Sequence, residues 1–229
     1  MWVFPLAASL VSGYFSWLLG VQFSKKRRPN VFAWAIALGM FSLASAAAAF
    51  GGLFGWSAVI FRTYYLFGAV LNVPALALGT LYLLAPRRST HVAAVLLIVC
   101  SLGAAFIVFN AELTTAGLET GGIPRGSEVL TDDVRLLSRF FSITGFLVVV
   151  GGALWSAARL VRLRQPNLKR LAMANLLIAL GTTVVAVASE MARIATGSVE
   201  DLVFAVGLFV GVSVMFLGFL KTRPPQPSS

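Results

Sequence analysis

Seven apolar runs, each about as long as the hydrocarbon of a bilayer is thick, leave this chain few ways to fold. They occupy residues 2–23, 31–50, 64–84, 92–108, 136–160, 171–194 and 203–220 of 229. A helix needs roughly 20 apolar residues to span about 30 Å, whereas a membrane barrel would show alternating segments of about 10 residues. The pattern predicts an all-α, polytopic membrane protein, a single domain of seven transmembrane helices. Hydrophobic residues make up 59% of the chain and charged ones 11%. That excess has to face lipid, and it leaves no room for a separate soluble domain.

The charged residues orient the runs. Lys25, Lys26, Arg27 and Arg28, then Arg87 and Arg88, then Arg159, Arg162, Arg164, Lys169 and Arg170, and finally Lys221 and Arg223 fall on alternate connections. All eight acids, Glu112, Glu119, Glu128, Asp132, Asp133, Glu190, Glu200 and Asp201, fall on the opposite ones, with only Arg62, Arg125, Arg135, Arg139 and Arg193 beside them. The positive-inside rule then puts the N-terminus outside and the C-terminus in the cytoplasm. On this reading the net charge of +10 is a topology signal; the expected partner is the lipid bilayer and no nucleic acid is implied. The first run is longer than the apolar core of a secretory signal and meets basic residues where a cleavage site would stand, so it reads as a retained helix. Trp2 and Trp56 near outer ends and Trp34 near an inner one fit an interfacial aromatic belt. Residues 111–135 read as an acidic outer loop and 224–229 as a disordered tail. Arg in excess of Lys, with abundant Ala and Gly, suggests the plasma membrane of a prokaryotic cell.

Sliding the second half over the first at an offset near 138 to 142 pairs Trp17 with Trp155, Pro29-Asn30 with Pro166-Asn167, and Ile36-Ala37-Leu38-Gly39 with Ile178-Ala179-Leu180-Gly181. Gly68 and Gly79 fall near Gly207 and Gly218, the drift being attributed to loop length. Two parallel repeats, 1–88 and 136–223, would then be joined by a linking helix at 91–110, related by an axis along the membrane normal. Ala, Leu and Gly are common enough here for short identities to arise by chance.

This three-plus-one-plus-three layout resembles the SWEET sugar transporters and their PQ-loop relatives, which also place the N-terminus outside. The resemblance is architectural and covers the whole chain. It implies a transporter, and it matches Asn72 to the sugar-contacting asparagine of the third helix. The Pro-Gln dipeptide is replaced by Pro-Asn, and Gly211 stands where the seventh-helix asparagine is expected. Microbial rhodopsins share the orientation but need a lysine deep in the last helix, where this chain has only Lys221 at the edge.

Polar groups within a bilayer are costly and hence candidate functional groups. On the sixth run, with Asn175 as origin and about 100° per residue, Thr182 falls near −20°, Ser189 near −40°, Arg193 near 0° and Glu190 near +60°. This stripe is either a set of interhelical hydrogen bonds with a Glu190–Arg193 ion pair, or a site open to substrate or protons. On the third run Tyr65, Gly68, Asn72 and Gly79 share a face, and Pro74 removes a backbone donor so that a carbonyl near residue 70 is freed. Asn72 is then either glue between helices or part of a small polar pocket. Arg62, Tyr64, Tyr65, Asn110, Glu112, Arg139, Glu190 and Arg193 come from helix ends at one level. They form an external vestibule, or for the arginines simply snorkel to headgroups. Gly207 and Gly211 read as close helix packing.

His91 is the only histidine and Cys100 the only cysteine, which excludes bis-histidine haem ligation, a three-histidine metal site and dithiol chemistry. No cofactor, metal or catalytic residue is expected, and the chain does not read as an enzyme. The expectation is a small-solute permease with a polar pathway between the third and sixth helices. Its substrate-binding residues would be Asn72, Asn175, Thr182, Glu190, Arg193, Tyr65 and Arg62. The alternatives are a non-catalytic subunit or assembly factor of a larger membrane complex, with other membrane subunits or further copies of itself as partners, and a sensor acting through a separate cytoplasmic protein.

Overall fold

The computed structural model describes residues 2–118, 122–162, 166–194 and 198–222, and within the last two helices it leaves some side chains undescribed. Seven long helices follow one another: α1 Val3–Lys26, α2 Pro29–Phe54, α3 Ala58–Leu84, α4 Arg87–Asn110, α5 Asp132–Arg162, α6 Pro166–Ile194 and α7 Ser198–Thr222. No strand occurs among the described residues. Helices α1 to α5 are long and apolar enough to cross a membrane, while α6 and α7 hold shorter apolar stretches, Leu176–Ala188 and Val206–Gly218.

Local chemistry sets the turns. Arg27 closes α1 in the left-handed region at φ 46°, its N–H donating to the Phe23 carbonyl at 2.7 Å, and Lys25 and Lys26 sit in the last turn where the helix dipole favours cations. Two residues later Pro29 opens α2, a position that needs no N–H. Gly55, at φ 92°, stops α2, and Ser57 caps α3 by accepting the Ile60 N–H at 3.3 Å.

Six of the helices close a ring. α1 packs on α2 and α7, α2 on α3, α3 on α5, α5 on α6, and α6 on α7; α4 lies outside, leaning mainly on α3. The ring maps onto itself when α1, α2 and α3 are exchanged for α5, α6 and α7. Pro29 and Pro166 both open their helices. The shared tetrapeptide, however, starts at Ile36, seven residues into α2, and at Ile178, twelve residues into an uninterrupted α6. Five residues amount to about 140° and 7.5 Å along a helix, so loop length does not account for that drift.

Small residues make the seams. Ser9 and Ser42 clamp α1 to α2 reciprocally, each hydroxyl donating to the other residue's carbonyl at 2.9 and 2.8 Å, and Ser16 donates to the Ala35 carbonyl at 2.7 Å. Ser138, Ser142, Gly145 and Gly152 line the α5 face against α3 at heptad-like spacing; a Cβ on Gly145 would lie 2.9 Å from the Pro74 nitrogen. Between α6 and α7, Gly181, Gly207, Gly211 and Gly218 let the backbones approach, as the Gly-x-x-x-Gly spacing led one to expect.

α3 widens into a π-helix over Tyr65–Leu71, just before Pro74. Proline offers no N–H to the preceding turn, and Ser142 supplies a donor there, its hydroxyl reaching the Ala69 carbonyl at 2.7 Å. Ser142→Ala is expected to lower stability by about 1 kcal/mol, read as a small fall in the thermal midpoint of the detergent-solubilised protein.

The loop between α4 and α5, expected outside, is tucked in. Thr114 donates its N–H to the Val129 carbonyl at 3.0 Å, and Val129, Leu130 and Val134 are buried against Phe61, Tyr65, Val70 and Val108. The end of α3 carrying Phe61 and Tyr65 is thereby covered.

Candidate functional site

All six ring helices reach the axis of the bundle at one place. Phe15 of α1, Trp34 and Leu38 of α2, Leu76 and Thr80 of α3, Val149 of α5, Ile178 and Thr182 of α6, and Met215 of α7 line a void of about 20 Å3. A void of that size has room for about one water molecule. The two hydroxyls facing it are already committed. Thr80 donates to the Leu76 carbonyl at 3.2 Å, and Thr182 to the Ile178 carbonyl at 2.9 Å and the Met215 sulfur at 3.4 Å. The axis is therefore plugged, mostly by apolar groups.

Trp34 is the largest part of the plug. It is half-buried in the bundle, one turn into α2. Its indole Nε1 donates to the Leu76 carbonyl at 3.2 Å, and its ring fills the notch that Gly79 leaves on α3. One turn before Leu76 on α3 stands Asn72, 7% exposed, whose Oδ1 is buried with no hydrogen-bond partner among the described residues. Leaving such an oxygen unpaired costs about 1–3 kcal/mol. The cost falls at the end of the π segment, and π segments are frequent at functional sites.

A second polar cluster lies further along α3. Tyr65 Oη and Ser138 Oγ share a 2.7 Å hydrogen bond, and Ser138 donates to the Arg135 carbonyl at 3.0 Å. Arg62 donates through Nη2 to the Ala111 carbonyl at 2.8 Å while its Nε is buried without a partner among the described residues. Gly126 of the loop packs on the Tyr65 ring. These contacts hold the outer loop down onto α3 and α5, while Asn110, Glu112 and Arg139 are exposed.

The candidate residues thus separate. Thr182 lines the axial void from α6, and Asn72 stands one turn before Leu76 on α3, on the other side of α5. Tyr65 and Arg62 anchor the loop. Asn175, Glu190 and Arg193 lie on α6, but their side chains fall outside the described residues. Leu76 and Thr80 of α3 and Ile178 and Thr182 of α6 border the same void as the other four ring helices. Phe15, Met215 and Ser142 carry the arrangement and are absent from the sequence reading, and Trp34 enters it only as a belt aromatic. Trp34 and Gly79 had a legible signal, a large and a small residue on consecutive helices, but nothing in either helix alone shows that they meet. Among the described residues no three His, Cys, Asp or Glu side chains converge. Neither a protein-family model, nor a curated protein, nor a solved structure matches the chain.

Proposed function

We propose that the chain crosses the bilayer seven times, N-terminus outside, and serves as a small-solute permease whose route follows the axis of the six-helix ring. The observation that carries this is the axial void, to which every ring helix contributes a side chain. Its size marks the present conformation as closed, so passage requires the two three-helix halves to part. The α3–α5 seam is held by Ser138, Ser142 and glycine contacts. The α1–α7 seam rests on apolar packing such as the edge-on contact of Phe15 with Phe216, 4.8 Å between centroids. The first seam suits a hinge and the second a gate. Asn72, with an oxygen to spare, is the group offered to a polar solute once the axis opens, and Glu190 and Arg193 belong to the outer gate.

Proteoliposomes loaded with a panel of polyols, monosaccharides and amino acids test this. At least one solute should move about tenfold faster than through protein-free vesicles, and Asn72→Leu should abolish most of that gain while preserving fold, since losing a contact worth about 1–2 kcal/mol lowers the rate about five- to thirtyfold. No solute moving faster would remove the reading.

A second reading, a subunit of a larger membrane complex, is favoured by α4. Its apolar window is only 11% buried, and Val95, Leu96, Val99, Leu102 and Phe106 are each about 60–70% exposed. Purification in mild detergent separates the two: proteins that co-purify stoichiometrically favour the subunit.

A further inference from the structure

Because α4 leans on α3 and barely touches α5, an open apolar groove of about 220 Å3 runs between the three helices. Pro74 and Gly145 form its floor, Leu81 and Val148 one end, and Cys100 part of the α4 wall. Below that end, α5 continues the same face. At about 100° per residue, Trp155, Arg159 and Arg162 fall within about 40° of Val148, and all three are exposed. Leu84 packs over Gly152, about 10 Å before Arg159 along α5, so the α3–α4 connection that follows Leu84, with exposed Arg87 and Arg88, lies at the same end of the bundle. No ion pair engages any of these four arginines among the described residues, and all eight acids of the chain lie at 112–133 or 190–201. From Val148 to Arg159 is about 16 Å along the helix, close to half the roughly 30 Å hydrocarbon core.

We infer that this groove is a binding site for one anionic phospholipid. The end of an acyl chain lies between Val148, Leu81 and Cys100, Trp155 sits at the interface, and the headgroup phosphate lies among Arg87, Arg88, Arg159 and Arg162. A neutral lipid meets the same apolar groove but not the charge, and an arginine cluster facing the phosphate level selects the anionic headgroup. The site is separate from the axial void and does not depend on what passes along it.

The probe is phosphatidylglycerol carrying a photoactivatable group on its acyl chain, compared with the matching phosphatidylcholine, on the full-length protein in nanodiscs. Adducts mapped by peptide mass spectrometry should lie on the groove segments of α3, α4 and α5 and favour phosphatidylglycerol by about tenfold or more. Arg159→Gln with Arg162→Gln should erase the preference. In the unaltered protein, the sole cysteine reports independently: alkylation of Cys100 by N-ethylmaleimide should be several-fold slower in phosphatidylglycerol discs than in phosphatidylcholine discs. Equal adducts and equal alkylation in the two lipids overturn the proposal, as does a groove shielded from both lipids by a co-purifying protein.

Discussion

Gly211→Val should cost the bundle about 3 kcal/mol or more and lower the thermal midpoint of the solubilised protein by several degrees. A Cβ at position 211 would lie 2.8 Å from the Gly181 carbonyl oxygen, and one at 181 would lie 2.5 Å from the Gly211 carbonyl oxygen. Backbone meets backbone on both sides, so no side chain can turn away to make room. In a bilayer, where lipid is as apolar as leucine, this close packing is a principal source of helix association, and forcing α6 from α7 loses it along the whole seam. Gly151→Ala is the contrast. Nothing lies within 4 Å of a Cβ built there, so it should be neutral or gain a few tenths of a kcal/mol from helix propensity. Size-exclusion recovery after heating, followed for both variants, reads the difference.

Trp34→Ala has the second largest expected effect, and it bears on stability and permeability together. Losing a packed tryptophan costs about 3–5 kcal/mol where the site cannot collapse. Here the ring fills the Gly79 notch and lines the axial void together with Phe15, Leu38 and Met215. The void would grow by most of an indole. Vesicles containing the Trp34→Ala protein should therefore leak small polar solutes at least about tenfold faster than vesicles with the unaltered chain, the barrier falling by more than 1.4 kcal/mol. A variant that folds, survives purification and leaks no faster would place the permeability barrier elsewhere than at the indole.

The parts of this fold that depend on one helix at a time were legible in the sequence. Apolar run length foretold the all-helical architecture, Gly207 and Gly211 a close seam, and Pro74 a disturbance in α3, whereas Pro29 and Pro166, which open α2 and α6, lay outside the apolar runs. What depends on how helices meet was not. In lipid the outward face of a helix is as apolar as its inward face, so hydropathy does not say which side of α4 is buried, or that α4 stands outside a ring. The same blindness hid the contact of Trp34 with Gly79 on the next helix, since residue type alone gave Trp34 only a place in an aromatic belt. The outer loop is a different case. Its acids suggested exposure, but Val129, Leu130 and Val134 outweigh them, because together with Phe61 and Val108 they bury a continuous apolar surface. The candidate site was read in part: Thr182 reaches the axis and Asn72 is buried beside it, whereas Tyr65 and Arg62 were mistaken for open vestibule groups because nothing in α3 alone shows the loop folding over them.

The axis as the route is the central claim, and chemical access to it is the direct test. In a Cys100→Ser background, single cysteines at Thr182 and Leu76, which line the void from two different helices, are compared with cysteines at Val99 and Leu102 on the exposed apolar face of α4. Each protein is reconstituted in vesicles and treated with a membrane-impermeant methanethiosulfonate reagent, which reacts only with thiols that meet water. Axial opening predicts modification at 182 and 76, slow because the closed form dominates, and none at 99 or 102. Modification confined to the helix ends, with 182 and 76 as inert as 99 and 102, would contradict it.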